Sequence, residues 1–190
     1  HFTTLENIPS IFEKGLLPVL GNNVQMHISD KKRLDKRKDC LCLSLSFPNS
    51  KMFFLMQMER FPLLTWCVVS FKPHLLWMLP CLFFPTNAAK YPYITRSDFR
   101  TSEAFEAIFD EQDRSDSLPA EFPTDVQAEI QAEEPVPLEM ISGVHFENEL
   151  AMNQYREHGN VPPKNVDVLC NQGLFKDRNW FLSNVWKEGG

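Results

Sequence analysis

The spacing of apolar positions changes several times along the chain, and each change marks an element. Phe2-Thr3 opens as a short strand. Ile8, Ile11 and Phe12 then recur at helical spacing behind Asn7 or Thr4 as cap, and Gly15 stops that helix. Residues 21–39 are polar, whereas 40–47 alternate and lead through Pro48-Asn49 into a helix that is apolar on one side. Residues 63–71 are dense in β-branched and aromatic side chains and predict a buried strand; residues 75–85 predict another short strand or two. Phe105, Ile108 and Phe109 share a helical face behind Thr101 or Ser102, followed by an acidic, proline-bearing loop over 114–125. Alternation in residues 127–133 reads as a strand, as does 141–146, with a helix near 147–158 and a last strand near 166–169. Strands scattered among short helices do not follow the regular order of a parallel doubly wound sheet. The expected fold is α+β, with a largely antiparallel sheet and short flanking helices.

A length of 190 residues, 43% of them hydrophobic and 23% charged, predicts a single domain over 1–190 and excludes collagen, coiled-coil and disordered classes. The net charge of −6 argues against a nucleic-acid partner only if it is evenly spread. It is not. Residues 1–97 carry 12 Lys/Arg against 6 Asp/Glu, residues 98–149 carry 2 against 15, and the remainder 5 against 4. A basic half beside an acidic segment can hold a polyanion on a molecule that is acidic overall. Five cysteines without regular spacing predict structural thiols in a reducing compartment, and no second Cys/His pair accompanies Cys40 and Cys42 to complete a metal site. The sequence shows neither a signal peptide nor a membrane-length apolar run, so a cytoplasmic location is expected. The chain starts at His1 without a methionine, so upstream residues are expected to precede it.

Three separated blocks bring chemistry together: His1-Phe2-Thr3, the strand-turn from Ser44 to Phe54, and Gln127-Ala128-Glu129. A spacing of two along a strand would put Gln127 and Glu129 on one face. A histidine, an aromatic and a strand glutamate preceded by glutamine form the pattern of ADP-ribosyltransferases. The first block, running through Asn7 and Ile8 to Gly15-Leu16, resembles the opening of the DarT family of DNA ADP-ribosyltransferase toxins. The Ser-Phe-Pro-Asn-Ser-Lys-Met-Phe-Phe run is similar to that family in order and spacing, as is Gln-Ala-Glu followed by Pro135, Pro137 and Ile-Ser-Gly-Val-His-Phe. The likeness spans most of residues 1–147.

The resemblance implies transfer of ADP-ribose from NAD⁺ to a base of single-stranded DNA, with loss of nicotinamide and no metal. Glu129 would stabilise the oxocarbenium character that grows on the ribose and could accept the proton of the attacking nitrogen. His1, with Thr3 and Asn7, would bind NAD⁺; Phe47 or Phe53 would stack on nicotinamide. Arg33 would pair with pyrophosphate or steer the transition state. Gln127 would hold the acceptor base. In pierisin-like members of the wider class, glutamine at that position accompanies guanine, so guanine is expected, with thymidine, RNA or protein as alternatives. Lys31, Lys32, Lys36, Arg37 and Lys38 read as DNA-backbone contacts or as a solvated run, and Arg100 as a DNA contact or a local ion pair. A macrodomain antitoxin is the implied partner, and a monomer is expected. A non-enzymatic nucleic-acid-binding module is the reading from a different class.

Overall fold

A computed structural model describes residues 1–21, 33–96, 98–159 and 161–186; Lys31 and Lys32 lie outside the described residues. Among these residues, β1 (Phe2–Thr4), β3 (Trp66–Phe71), β6 (Ile141–Phe146) and β7 (Asp167–Cys170) form one sheet in that order. A second sheet has the order β2 (Leu41–Leu43), β5 (Glu129–Ala132), β4 (Cys81–Phe84). The pairs β1/β3, β3/β6, β2/β5 and β4/β5 are antiparallel, and β6/β7 is parallel. The parallel pair arises because α5 (Glu149–Glu157), capped by Asn148, carries the chain back between β6 and β7.

The continuous apolar run of β3 has a direct structural reason. Cys67 and Val69 face the main core with Ile8, Ile11, Val144 and Phe146, whereas Trp66 and Val68 face a second cluster built on Phe53 and Met56. Both faces of β3 are therefore covered. β5 differs: Ile130 and Ala132 enter the main core, and the alternate positions Glu129 and Gln131 project from the opposite face. That alternation sets a polar surface against the apolar interior.

Helix α1 (Ile8–Lys14) ends at Gly15, where φ is +76°. Leu16 then exchanges two backbone hydrogen bonds of 2.9 Å with Val136. The 75–85 segment contains α3 (Leu75–Met78) before β4 and not strand alone, because its Leu-Leu-Trp-Met stretch lacks β-branched residues and Pro80 separates the two elements. The alternating 40–47 segment contributes only three strand residues before turning into α2 (Ser50–Phe54), whose cap Asn49 accepts from the Met52 amide at 3.1 Å. A π-helical turn over Leu55–Arg60 extends α2. Helices α4 (Ser102–Glu106), capped by Thr101, and α6 (Arg178–Asn184) complete the description.

A Cβ on residue 15 would lie 2.4 Å from the Val136 carbonyl oxygen, in addition to the strain of positive φ. Gly15→Ala is expected to lower stability by about 1–3 kcal/mol. Urea denaturation reads this as an earlier midpoint, and an unchanged midpoint would contradict the packing described.

Candidate active site

Edge strands β1 and β2, one from each sheet, border a cavity of about 370 Å³. The His1 ring crosses between them: its Nδ1 lies 2.8 Å from the Cys42 carbonyl oxygen. A carbonyl only accepts, so Nδ1 carries the proton and, in the neutral ring, Nε2 is the acceptor. Thr3 and Asn7 lie behind His1, with Asn7 Nδ2 donating to Thr3 Oγ1 at 2.9 Å, and both line the cavity. From the opposite wall, α2 and its π-helical extension supply Met52, Met56 and Arg60. The start of β5 supplies Glu129.

The Glu129 carboxylate is held at both oxygens. Oε1 accepts from Gln131 Nε2 at 2.9 Å, and Oε2 from the Ala88 amide at 3.2 Å. Gln131 is fully buried, and the same Nε2 donates at 2.7 Å to Asp35 Oδ2. Asp35 in turn receives both Nε and NH2 of Arg33, at 3.0 and 2.6 Å, while Arg33 NH1 donates to the Cys40 carbonyl at 2.7 Å. Arg33 occupies φ +36°, a strained value for a non-glycine residue, and this set of contacts is what holds it there. Burial opposes its charge most strongly, but the hydrogen bonds to Asp35, together with the electrostatic pull of neighbouring Cys42, Asp35 and Glu129, outweigh burial and raise its pKa. Burial likewise pushes the Asp35 carboxyl up, and the Arg33 contacts, with the Gln131 and Arg37 hydrogen bonds, more than reverse this, leaving it below the usual carboxylate range.

Burial and the adjoining Glu129 charge raise the Cys42 thiol, so it stays protonated at neutral pH. One ligand atom from each of Asp35, Cys42 and Glu129 falls within 4.8 Å of the others, a separation that a cation could span. Positive charge is already supplied there by Arg33, and N–H donors by Gln131.

The structure brings His1, Thr3, Asn7, Arg33 and Glu129 to one cavity, and separates several residues that the sequence grouped with them. Phe47 is buried against Phe181 with ring centroids 5.0 Å apart, and Phe53 stacks on Phe2 at 4.6 Å within the second core cluster. Neither ring lines the cavity, because both serve as core, so neither is placed to stack on nicotinamide. Gln127 precedes β5 in a turn, where its amide donates to Asp125 Oδ1 at 2.8 Å, and it lines an adjoining open groove with Lys51, Thr86 and Lys90. The strand face shared with Glu129 belongs to Gln131.

Arg100 forms a two-pronged exposed ion pair with Glu133 at 2.7 and 2.6 Å, the local-pair alternative. Arg37 donates to the Arg96 carbonyl at 2.7 Å and lies over the Phe84 ring, so it ties its loop to residues 93–96 and is not free for a phosphate. Lys36 and Lys38 are exposed. The bidentate fork of Arg33 is taken by Asp35 and its NH1 by the Cys40 carbonyl, so it is not free for a forked pyrophosphate contact. Sequence reasoning missed Asp35, Gln131, Cys42 and Arg60. The Arg33-Leu34-Asp35 spacing and the polar third position of β5 were the available signals.

A family described as DarT, ssDNA thymidine ADP-ribosyltransferase, matches residues 1–176. The chain belongs to the DarT family. That family is one of NAD-dependent DNA ADP-ribosyltransferases, and the match runs well beyond the blocks that carried the resemblance. Among solved structures, Thermus sp. 2.9 DarT in complex with NAD⁺ is similar at 15% identity and TM-score 0.62, over 93% of this chain and 96% of that one. The same Thermus protein in complex with ADP-ribosylated ssDNA is similar at 15% identity and TM-score 0.58, over 93% and 94%. Thermosipho africanus DarTG in complex with ADP-ribose gives TM-score 0.63 at 15% identity; 92% of this chain is covered, but only 50% of that one. At these identities the likeness is one of fold. No curated protein sequence matches the chain.

The Arg33–Asp35 pair makes the site sensitive to acid. Asp35 has a depressed folded-state pKa, so its stabilisation is present above the unfolded value of about 3.9 and is lost as pH falls through the folded one. Arg33→Met alone, which strands a buried carboxylate, is expected to cost about 3–5 kcal/mol at neutral pH. Thermal melts should show Arg33→Met/Asp35→Leu recovering much of that loss, with a flatter acid limb than the parent. Equal melting of the single and double variants would contradict the coupling.

Proposed function

We propose that this protein transfers ADP-ribose from NAD⁺ to thymidine in single-stranded DNA and releases nicotinamide. The observation that carries the reading is the doubly held Glu129 carboxylate, which opens on the same cavity as His1 and Arg33. Breaking the nicotinamide–ribose bond leaves cationic character on the ribose. A fixed carboxylate beside the 2′-OH stabilises that charge without reorganising during the reaction. As the thymine nitrogen attacks, its proton passes to Glu129. His1 Nε2 accepts from a ribose hydroxyl, and Thr3 and Asn7 line the same cavity. Arg60, on the cavity wall, supplies positive charge for the pyrophosphate.

Thymidine replaces the guanine expected from Gln127 for two reasons. The family description names thymidine. Gln127 also lies in a turn off the Glu129 strand face, so the pairing on which guanine rested is not formed. Lys36 and Lys38, exposed beside Asp35, offer the phosphate-binding charge that a DNA strand requires. An ADP-ribosyl group on a template base obstructs its pairing edge, which accords with a toxin or anti-phage effector and with the macrodomain antitoxin implied by the resemblance. Among the described residues, no helix is long and apolar enough to cross a membrane.

With NAD⁺ and thymidine-containing single-stranded oligonucleotides, nucleoside mass spectrometry should find ADP-ribosylated thymidine, and Glu129→Gln should lower transfer by about 10²-fold or more. Modified guanosine, or label confined to RNA or protein, would overturn the acceptor assignment. DNA binding with no NAD⁺-dependent product would favour the non-enzymatic module. Lys36→Glu/Lys38→Glu should weaken oligonucleotide binding, reduce its salt slope by roughly 2 and leave NAD⁺ hydrolysis unchanged. Equal loss of hydrolysis would assign the two lysines to the cofactor or the fold.

A further inference from the structure

We infer that Gln131 is the positioning residue of the reaction, its amide bridging Glu129 to Asp35 so that the Glu129 oxygens keep one orientation. The inference rests on the catalytic reading of Glu129 given above.

The amide can adopt only one useful orientation here. Its two neighbours, Glu129 Oε1 at 2.9 Å and Asp35 Oδ2 at 2.7 Å, are both acceptors, so the NH2 end must face them and each takes one N–H. Gln131 Oε1 is left buried without a hydrogen-bond partner among the described residues. A buried amide half of which is unpaired is a poor choice for packing alone; its other half spans two carboxylates that would otherwise repel. β-sheet pairing fixes its place, with Cys42 opposite on β2 and Leu82 opposite on β4. The backbone that positions Gln131 therefore positions Glu129, two residues earlier on the same face.

The charged and titratable groups facing this bridge are Arg33 and Asp35 on the 33–40 loop, Cys42 on β2 and Glu129 itself, with the Arg37 amide also donating to Asp35 at 3.4 Å. Only Arg33 is cationic, and its fork is committed to Asp35. Glu129 takes its donors from Gln131, the Ala88 amide and the Cys42 thiol. Removing the Gln131 N–H groups withdraws a donor from each carboxylate's charged form. The Asp35 midpoint then rises, and Glu129 Oε1 loses the contact that fixes its orientation.

The test compares the parent with Gln131→Met, which keeps the volume and removes the donors, and Gln131→Glu, which can donate only when protonated. Two readouts are used: steady-state transfer from NAD⁺ to a single-stranded oligonucleotide across pH, and carboxyl ¹³C titration, with Asp35 and Glu129 assigned through Asp35→Asn and Glu129→Gln. For Gln131→Met, kcat is expected to fall roughly 10–100-fold with KM for NAD⁺ within about threefold. The Asp35 carboxyl midpoint should move to higher pH. Gln131→Glu should regain activity as pH falls.

An unmoved Asp35 midpoint in Gln131→Met, whether or not kcat drops, would overturn the proposal, since a merely structural role lowers activity without shifting that titration. Loss of folding in Gln131→Met passes the decision to Gln131→Glu, whose failure to regain activity at low pH would overturn it equally. Full activity in Glu129→Gln would instead refute the catalytic reading on which the inference stands, while the ¹³C midpoints would still report whether the bridge exists.

Discussion

The site is built around one electrostatic constraint: two carboxylates, Asp35 and Glu129, approach within hydrogen-bond reach of one amide nitrogen. Left alone, the two would repel each other. Arg33 offsets this from one side by giving Asp35 two short charged contacts, and Gln131 offsets it between them. The segment over 33–40 is consequently folded around its ion pair and not around an apolar core. Its positive φ values at Arg33 and Lys36 are conformations that the buried pair supports. Removing Arg33 would withdraw the counter-charge that keeps buried Asp35 ionised beside the polar face of β5.

This constraint also explains the split in the sheet. β5 lies between β2 and β4, with its apolar residues in the main core, so its polar residues can only face the side where β1 and β2 diverge. Two edge strands that do not pair with each other leave backbone and side-chain groups for a ligand. The His1–Cys42 hydrogen bond is the one link across that gap described here. A continuous sheet would have buried Glu129 uselessly.

Much of this was legible in the chain, and the failures share a cause. The strands at 66–71 and 141–146 and the helix at 149–157 follow from periodicity that tertiary packing reinforces. The strand in 127–133 was readable as well, but its register was not. Alternation runs through both glutamines, and only pairing with β2 and β4 decides that Gln131 is inside and Gln127 is in the turn before it. Phe47 and Phe53 show the same limit from the apolar side: sequence places an aromatic near the turn, while packing against Phe181 and Phe2 decides whether the ring meets ligand or core. Asp35 was hidden for another reason, since an acid within a basic run reads as solvated until a neighbouring strand buries it.

Charge shows how local geometry overrides a sum. The excess of bases in the first 97 residues and of acids after them suggested a basic strip facing an acidic one. Of the basic run that is described, Arg33 is spent on Asp35 and Arg37 on carbonyls near residue 96, which leaves Lys36 and Lys38 outward. Arg100, the lone base near the acidic segment, is neutralised by Glu133. Bases that hold the protein together and bases available to phosphate are thus interleaved residue by residue. For a DNA-modifying site this division has a functional consequence: salt will weaken the exposed lysines' hold on a strand while leaving the buried pair that orients Glu129 nearly untouched. Binding and chemistry should therefore separate as ionic strength rises, with affinity for DNA lost long before the capacity to cleave NAD⁺.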